Sequence, residues 1–300
     1  MSGGLLQSGE FYAAAAALLW GLAVIWFRRS GYAAPPVALN VFKSTLALAL
    51  FLVTLPLVGV AYAPPDATSE DWARLIGSGV LGIAVSDSLF FASLNRLGAG
   101  RSAIVDCSYS PLILLLPFVF LGEPVGPALV VGVLLMAGAI VLATWQPGVP
   151  APAQERRELR TGVLLGFGAM LTMGVGVIVA KPVLVDHDAW WTTTVRLAGG
   201  VAVLAVQSLL PRHRAAVAAA FRSRAVWRAA VPATLLGSYA ALLCWILGFK
   251  LAQTTVASVL NQLSTVFVLL FAALFLKERL TPAKAVAVVL GVTAGVVVSL

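Results

Sequence analysis

The feature that most limits this chain is a succession of apolar runs, each near the length of one membrane crossing, broken by short stretches of charge, proline or glycine. A bilayer core is about 30 Å thick, and a helix needs about 20 apolar residues to cross it. Ten such segments can be drawn, over residues 11–27, 37–60, 74–95, 101–121, 127–145, 162–181, 190–210, 229–249, 255–276 and 282–300. Each is expected to be a helix, because a lone segment in lipid must satisfy its own backbone hydrogen bonds. Composition agrees: 60% of the 300 residues are hydrophobic and 11% charged, against about 25% charged in an ordinary soluble domain. The same figures exclude disorder, collagen, coiled coil and a disulfide scaffold. The expected fold class is an all-α polytopic membrane protein with ten transmembrane helices and no soluble domain.

The net charge of +8 does not describe a nucleic-acid site, because the basic residues lie scattered between apolar segments. In the ten-segment reading, fifteen of the twenty Lys and Arg fall on one side and three (Arg74, Lys181, Lys250) on the other, with Lys43 and Arg196 inside segments. The positive-inside rule makes the fifteen-residue side cytoplasmic and puts both termini outside. Cys107 and Cys244 lie within apolar segments and read as small hydrophobes. Met1 to Gln7 lacks the basic stretch of a secretory signal, so no cleaved peptide is expected.

The break at residues 146–161, with three prolines and five charges, divides the segments five and five. The halves match. Leu121-Gly122-Glu123-Pro124 and Leu276-Lys277-Glu278-Arg279 stand 155 residues apart, each opening the last segment of its half. At an offset of 153, Trp20-Gly21 falls on Met173-Gly174, Arg28 on Lys181 and Lys43 on Arg196. A five-crossing unit copied within one chain must face the other way. The expected organisation is therefore two inverted five-helix repeats, residues 1–145 and 162–300, joined by a linker over 146–161. Such repeats place a site near the midplane at their interface.

These residues resemble the EamA family of the drug/metabolite transporter superfamily. The similarity is carried by Leu19-Trp20-Gly21, Lys43 and Arg196, and Ala99-Gly100-Arg101-Ser102-Ala103. It continues through Tyr109-Ser110-Pro111, Leu121-Gly122-Glu123, Phe275-Leu276-Lys277-Glu278-Arg279-Leu280, and Gly291 with Gly295. It covers nearly the whole chain. The second half departs from the pattern in having Met173 before Gly174, and Thr265-Val266 where Ser110-Pro111 would repeat. The resemblance implies a carrier of small metabolites, often outward, with no cofactor and no single shared substrate. Ten-span relatives are usually drawn with both termini inside, against the charge count.

Of twelve acids only Asp87 and Asp106 sit inside segments. An ionisable group at the centre of a membrane helix costs at least about 2.5–3.5 kcal/mol, so each should face a cavity or a partner. One reading gives them a proton or a cationic substrate group to bind; the other makes them static partners of Arg101 or Lys43. Ser102, Asp106, Tyr109 and Ser110 share one helical face. At the repeat offset Asp106 is answered by Asn261, within a second polar face of Ser258, Asn261, Gln262 and Thr265. Two such faces suggest a central cavity bounded by segments 3, 4, 8 and 9, or else interhelical hydrogen-bond glue. Lys43 and Arg196 could attract an anionic group such as a carboxylate, or snorkel to the interface. Glu123 and Glu278 read as acids at the positive end of the helix that follows each, or as gates.

Trp20, Tyr109, Tyr239 and Trp245 are candidates to contact an organic ligand. Trp72, Trp190, Trp191 and Trp227 read as interfacial anchors. Gly162/Gly166 and Gly291/Gly295 have the spacing of close helix contacts. No Cys/His cluster suggests a metal, and no catalytic motif or nucleotide-binding loop is seen. The expectation is a secondary-active exporter of a small polar or amphipathic metabolite such as an amino acid, working by alternating access with proton coupling. It would be a monomer or homodimer in the cell membrane, the inner membrane in a Gram-negative source. The alternatives are an intramembrane enzyme acting on a lipid or peptide, and an accessory membrane protein without transport activity.

Overall fold

A computed structural model describes residues 9–109, 112, 127–144, 152–251 and 254–299. Its helices are α1 (Gly9–Ser30), α2 (Pro36–Leu57), α3 (Ser69–Leu97), α4 (Ala99–Asp106), α5 (Pro127–Thr144), α6 (Ala153–Asp186) and α7 (Ala189–Leu209). They continue with α8 (Pro211–Arg222), α9 (Arg224–Ala233, Thr234–Ala241 and Leu242–Leu251 without a break), α10 (Thr254–Leu276) and α11 (Pro282–Ser299). Among the described residues, α1, α2, α3, α6, α7 and the Arg224–Gly248 stretch of α9 are long and apolar enough to cross a membrane. The apolar stretches within α5, α10 and α11 are shorter. The fourth segment is described only at its start, and Ser110, Pro111 and residues 113–126, Glu123 among them, lie outside the described residues.

Local chemistry sets the helix ends. Thr68 and Asp71 form a reciprocal capping box at the start of α3. Asp188 accepts from the amides of Trp190 and Trp191 to start α7. Pro211 and Pro282 open α8 and α11, where a missing N–H costs nothing. The linker is more ordered than its prolines and charges suggest: α6 begins at Ala153, just after Pro152, and carries Gln154 to Arg160 as helix. Those are strong helix formers, and Gln154 reaches Glu158 one turn on.

Two stretches are wider than an α-helix. Val80–Ser86 in α3 and Thr234–Ala241 in α9 are π-helical, and they stand in register at the 155-residue offset. Such turns free main-chain carbonyls and cluster at functional sites. In α3 the side chain of Asn40 on α2 takes up two of them, donating to Ile83 O at 2.8 Å and Ala84 O at 3.3 Å.

Small residues let the helices close on one another. A Cβ at Gly21 of α1 would stand 2.7 Å from Phe267 Cβ of α10. Gly162 and Gly166 of α6 lie against Leu97 and Val105, and Ser93 donates to Gly162 O at 2.8 Å. α1 packs along both α10 and α9, α3 along α6 and α7, and α5 along α11. Helices of both halves are thus interleaved around a common centre. Trp191 departs from its expected place as an interfacial anchor. It is fully buried, its indole N–H donates to Tyr62 O at 3.0 Å, and its ring meets Trp72 edge-on. Trp227 is half-exposed.

Candidate functional site

Between the helices lies a half-open cavity of about 200 Å³. It is lined from α1 (Ala16, Trp20), α2 (Lys43), α3 (Gly82, Ile83, Asp87), the start of the fourth segment (Asp106, Tyr109) and α6 (Met170, Met173). The second half adds α7 (Thr193, Arg196, Leu197), α9 (Gly237, Ser238, Ala241, Leu242, Trp245) and α10 (Asn261, Ser264, Thr265). The walls expected from segments 3, 4, 8 and 9 are all present. Segments 1, 2, 6 and 7 also contribute.

The lining residues are largely each other's counterparts. At an offset of 155, Gly82 answers to Gly237, Ile83 to Ser238, Asp87 to Leu242, Asp106 to Asn261 and Tyr109 to Ser264; at 153, Trp20 answers to Met173 and Lys43 to Arg196. Both π-helical stretches contribute to the wall. Gly82, Gly237, Met173 and Ser264 line the cavity without being sequence candidates for it; the offset that pairs Met173 with Trp20 and Ser264 with Tyr109 is the signal that points to two of them.

The electrostatics of the two halves differ. In the first, Lys43 Nζ is 2.6 Å from Asp87 Oδ2, and it also lies near the Phe91 ring and Ser44 Oγ. Lys43 is buried and Asp87 mostly so, and each offsets the other's desolvation. In the second half Arg196 is 3% exposed, its Nε has no hydrogen-bond partner, and no ion pair reaches it among the described residues. Where Lys43 has Asp87, the matching position holds Leu242. Arg196 feels Asp87 and the Tyr109 phenol electrostatically, and the buried Tyr109 hydroxyl is likewise unpartnered. Asp106 lines the cavity, and no ion pair reaches it among the described residues.

The remaining sequence candidates are placed as follows. Trp20, Tyr109, Trp245, Asn261 and Thr265 all reach the cavity wall. Thr265 also ties the halves, meeting Cys107 Sγ at 3.0 Å and donating to Ala103 O at 3.3 Å. Tyr239 is not among the lining residues. It points to α2, with its hydroxyl 2.7 Å from Thr54 Oγ1 and its ring against Phe51. Ser110 and the side chains of Ser258 and Gln262 lie outside the described residues.

Glu278 does not cap the helix that follows it, although Lys284 Nζ of that helix lies 4.0 Å from its Oε2. Thr281 Oγ1 accepts from Lys284 N at the start of α11. Glu278 instead reaches across to the other half, where its two carboxylate oxygens accept from Ala99 N at 2.9 Å and Gly100 N at 3.1 Å, the start of α4. The approach needs Gly98, whose φ of +80° suits glycine, and Gly100, where a Cβ would sit 3.1 Å from Oε2. At the same end Arg29 donates to Phe275 O at 3.0 Å and Arg28 to Asn95 O at 2.9 Å.

A family model described as the EamA-like transporter family matches the chain twice, over residues 7–145 and 160–300. A solved crystal structure 20% identical in sequence superposes with a TM-score of 0.65, covering 96% of this chain and 95% of its own. That likeness shows a shared fold. Among curated proteins none matches the chain.

Proposed function

This chain belongs to the EamA-like transporter family, and from that premise we propose that it is a secondary-active carrier exporting a small polar or amphipathic metabolite, such as an amino acid. In this reading ten spans form two inverted repeats, residues 1–145 and 162–300, joined by 146–161. They alternate access to the central cavity across the cell membrane, with the arginine-rich end in the cytoplasm. The observation that carries the reading is the cavity itself: walled by both halves, lined by residues that the offset pairs, and holding charged groups that come from apolar segments.

The binding groups are Lys43, Asp87, Asp106, Tyr109, Arg196, Asn261 and Thr265, with Trp20 and Trp245 offering apolar contact. Ser110, Ser258 and Gln262 complete the polar faces by their places in the sequence, and Tyr239 supports the wall from behind. Asp106 is the better candidate for proton coupling, because Lys43 already holds Asp87. The test is flux by the purified protein in liposomes, screened over amino acids, nucleosides and sugars. Efflux of one class should respond to an imposed pH gradient and lose that response in Asp106→Asn. Absence of flux for every class would refute transport of these metabolites. Undiminished coupling in Asp106→Asn would remove Asp106 from the mechanism.

A further inference from the structure

The geometry points to an anion subsite at Arg196, in the second half only, which takes the carboxylate of an organic substrate. It deepens the carrier reading and rests on it for the word substrate, though not for the binding itself. Burying an unpaired guanidinium is costly, and buried charges are ordinarily paired. The first half obeys that rule at Lys43 with Asp87 at 2.6 Å. The second half keeps the cation and has Leu242 where the acid would repeat, so that Arg196 is 3% exposed, its Nε has no hydrogen-bond partner and it has no ion pair among the described residues, with Tyr109 and Asp87 acting on it only through space.

Arg196 and Leu242 both open onto the cavity, so the missing anion has room to enter from it. The Tyr109 hydroxyl, also buried and unpartnered, supplies a second donor on the same wall. A guanidinium fork matches the two oxygens of a carboxylate. Trp20 and Trp245 line the same space and can hold an apolar body attached to that carboxylate. Asp106 is available for an ammonium group if the ligand has one, but the carboxylate is the required feature.

The full chain in nanodiscs can be tested with three probes of one shape: hydrocinnamate, phenethylamine and phenylalanine. The first carries only a carboxylate, the second only an amine, the third both. Hydrocinnamate and phenylalanine should bind and raise the melting temperature, and phenethylamine should not. Arg196→Gln should weaken both carboxylates by at least roughly thirtyfold, the scale of truncating one member of a buried charged pair. Leu242→Asp, which gives Arg196 the acid that Lys43 already has, should do the same, while Leu242→Asn should not. If Leu242→Asp fails to fold, Arg196→Gln alone decides.

Equal binding of hydrocinnamate by wild type and Arg196→Gln would overturn the assignment, as would binding led by phenethylamine. Sodium chloride that reproduced the whole thermal shift would overturn it too, by making the anion inorganic. The two readings fail separately. Carboxylate binding without flux in liposomes sinks transport and spares the subsite. Flux indifferent to Arg196→Gln sinks the subsite and spares transport.

Discussion

The two halves of this protein share a plan and differ in charge. Each brings a buried cation to the cavity from its second helix, Lys43 from α2 and Arg196 from α7. Each brings a π-helical stretch from its third apolar segment, in α3 and in α9, with Gly82 and Gly237 in matching places. The first half then closes its electrostatics through the Lys43–Asp87 pair, and among the described residues no such pair reaches Arg196. Where Asp106 stands in one half, Asn261 stands in the other. A repeated unit makes two equivalent walls, whereas an asymmetric ligand needs unlike ones. The substitutions of Asp by Leu and by Asn supply that difference without disturbing the frame.

Breaking the closed half should have the largest effect. Lys43→Ala leaves Asp87 buried beside an unfilled space and should cost about 3–5 kcal/mol, read as a lower melting temperature or reduced recovery in detergent. Lys43→Met combined with Asp87→Leu removes both charges and should recover much of that loss. If the single and double variants melt alike, the pair is not what stabilises this wall. Next comes the tie between halves. Glu278→Ala removes an acceptor from two amides at the start of α4 and should lower stability by about 1.5–3 kcal/mol. A variant melting within error of wild type would show that water replaces the carboxylate.

The smallest effect separates the two matched glycines. Gly237→Ala sets a methyl 2.8 Å from Ala23 Cβ and 3.0 Å from Phe27 Cε2, and should cost about 1–3 kcal/mol. Gly82→Ala meets only Met173 Sδ at 3.4 Å and Arg196 Nη2 at 3.5 Å, both ends of flexible side chains. It should melt within about 0.5 kcal/mol of wild type. Equal losses would mean that the halves are packed alike at this level.

Much of the plan was legible because a bilayer leaves few solutions. Apolar runs of crossing length gave the helices, and two nearly equal offsets gave the repeat. The repeat also pairs Asp106 with Asn261 and Lys43 with Arg196. Which way each residue faces was harder to read. In a soluble helix one stripe is apolar, but in lipid nearly every face is, so periodicity carries little information. Tyr239 shows the consequence: it sits in a π-helical stretch, where the turn is wider than the α-helical spacing assumes, and it points to α2 instead of the cavity. Trp191 looked like an anchor because it is aromatic near a segment end, and the fold buried it under Trp72 and His187. Glu278 was read against its nearest helix in sequence, while its partners, Ala99 and Gly100, belong to the other half.

The wide turns also speak to history. An extra residue in a helix rotates everything beyond it by about 100°, so such an insertion would displace a packed face unless the neighbours changed with it. Two independent insertions at the same register, both beside the same cavity, would each have had to find those compensations. One insertion in the ancestral unit, made before that unit was copied, requires them once. On that view the π-helical stretch is older than the pairing of halves. The charges that now tell the halves apart, Asp87 against Leu242 and Asp106 against Asn261, are later edits to a wall already shaped.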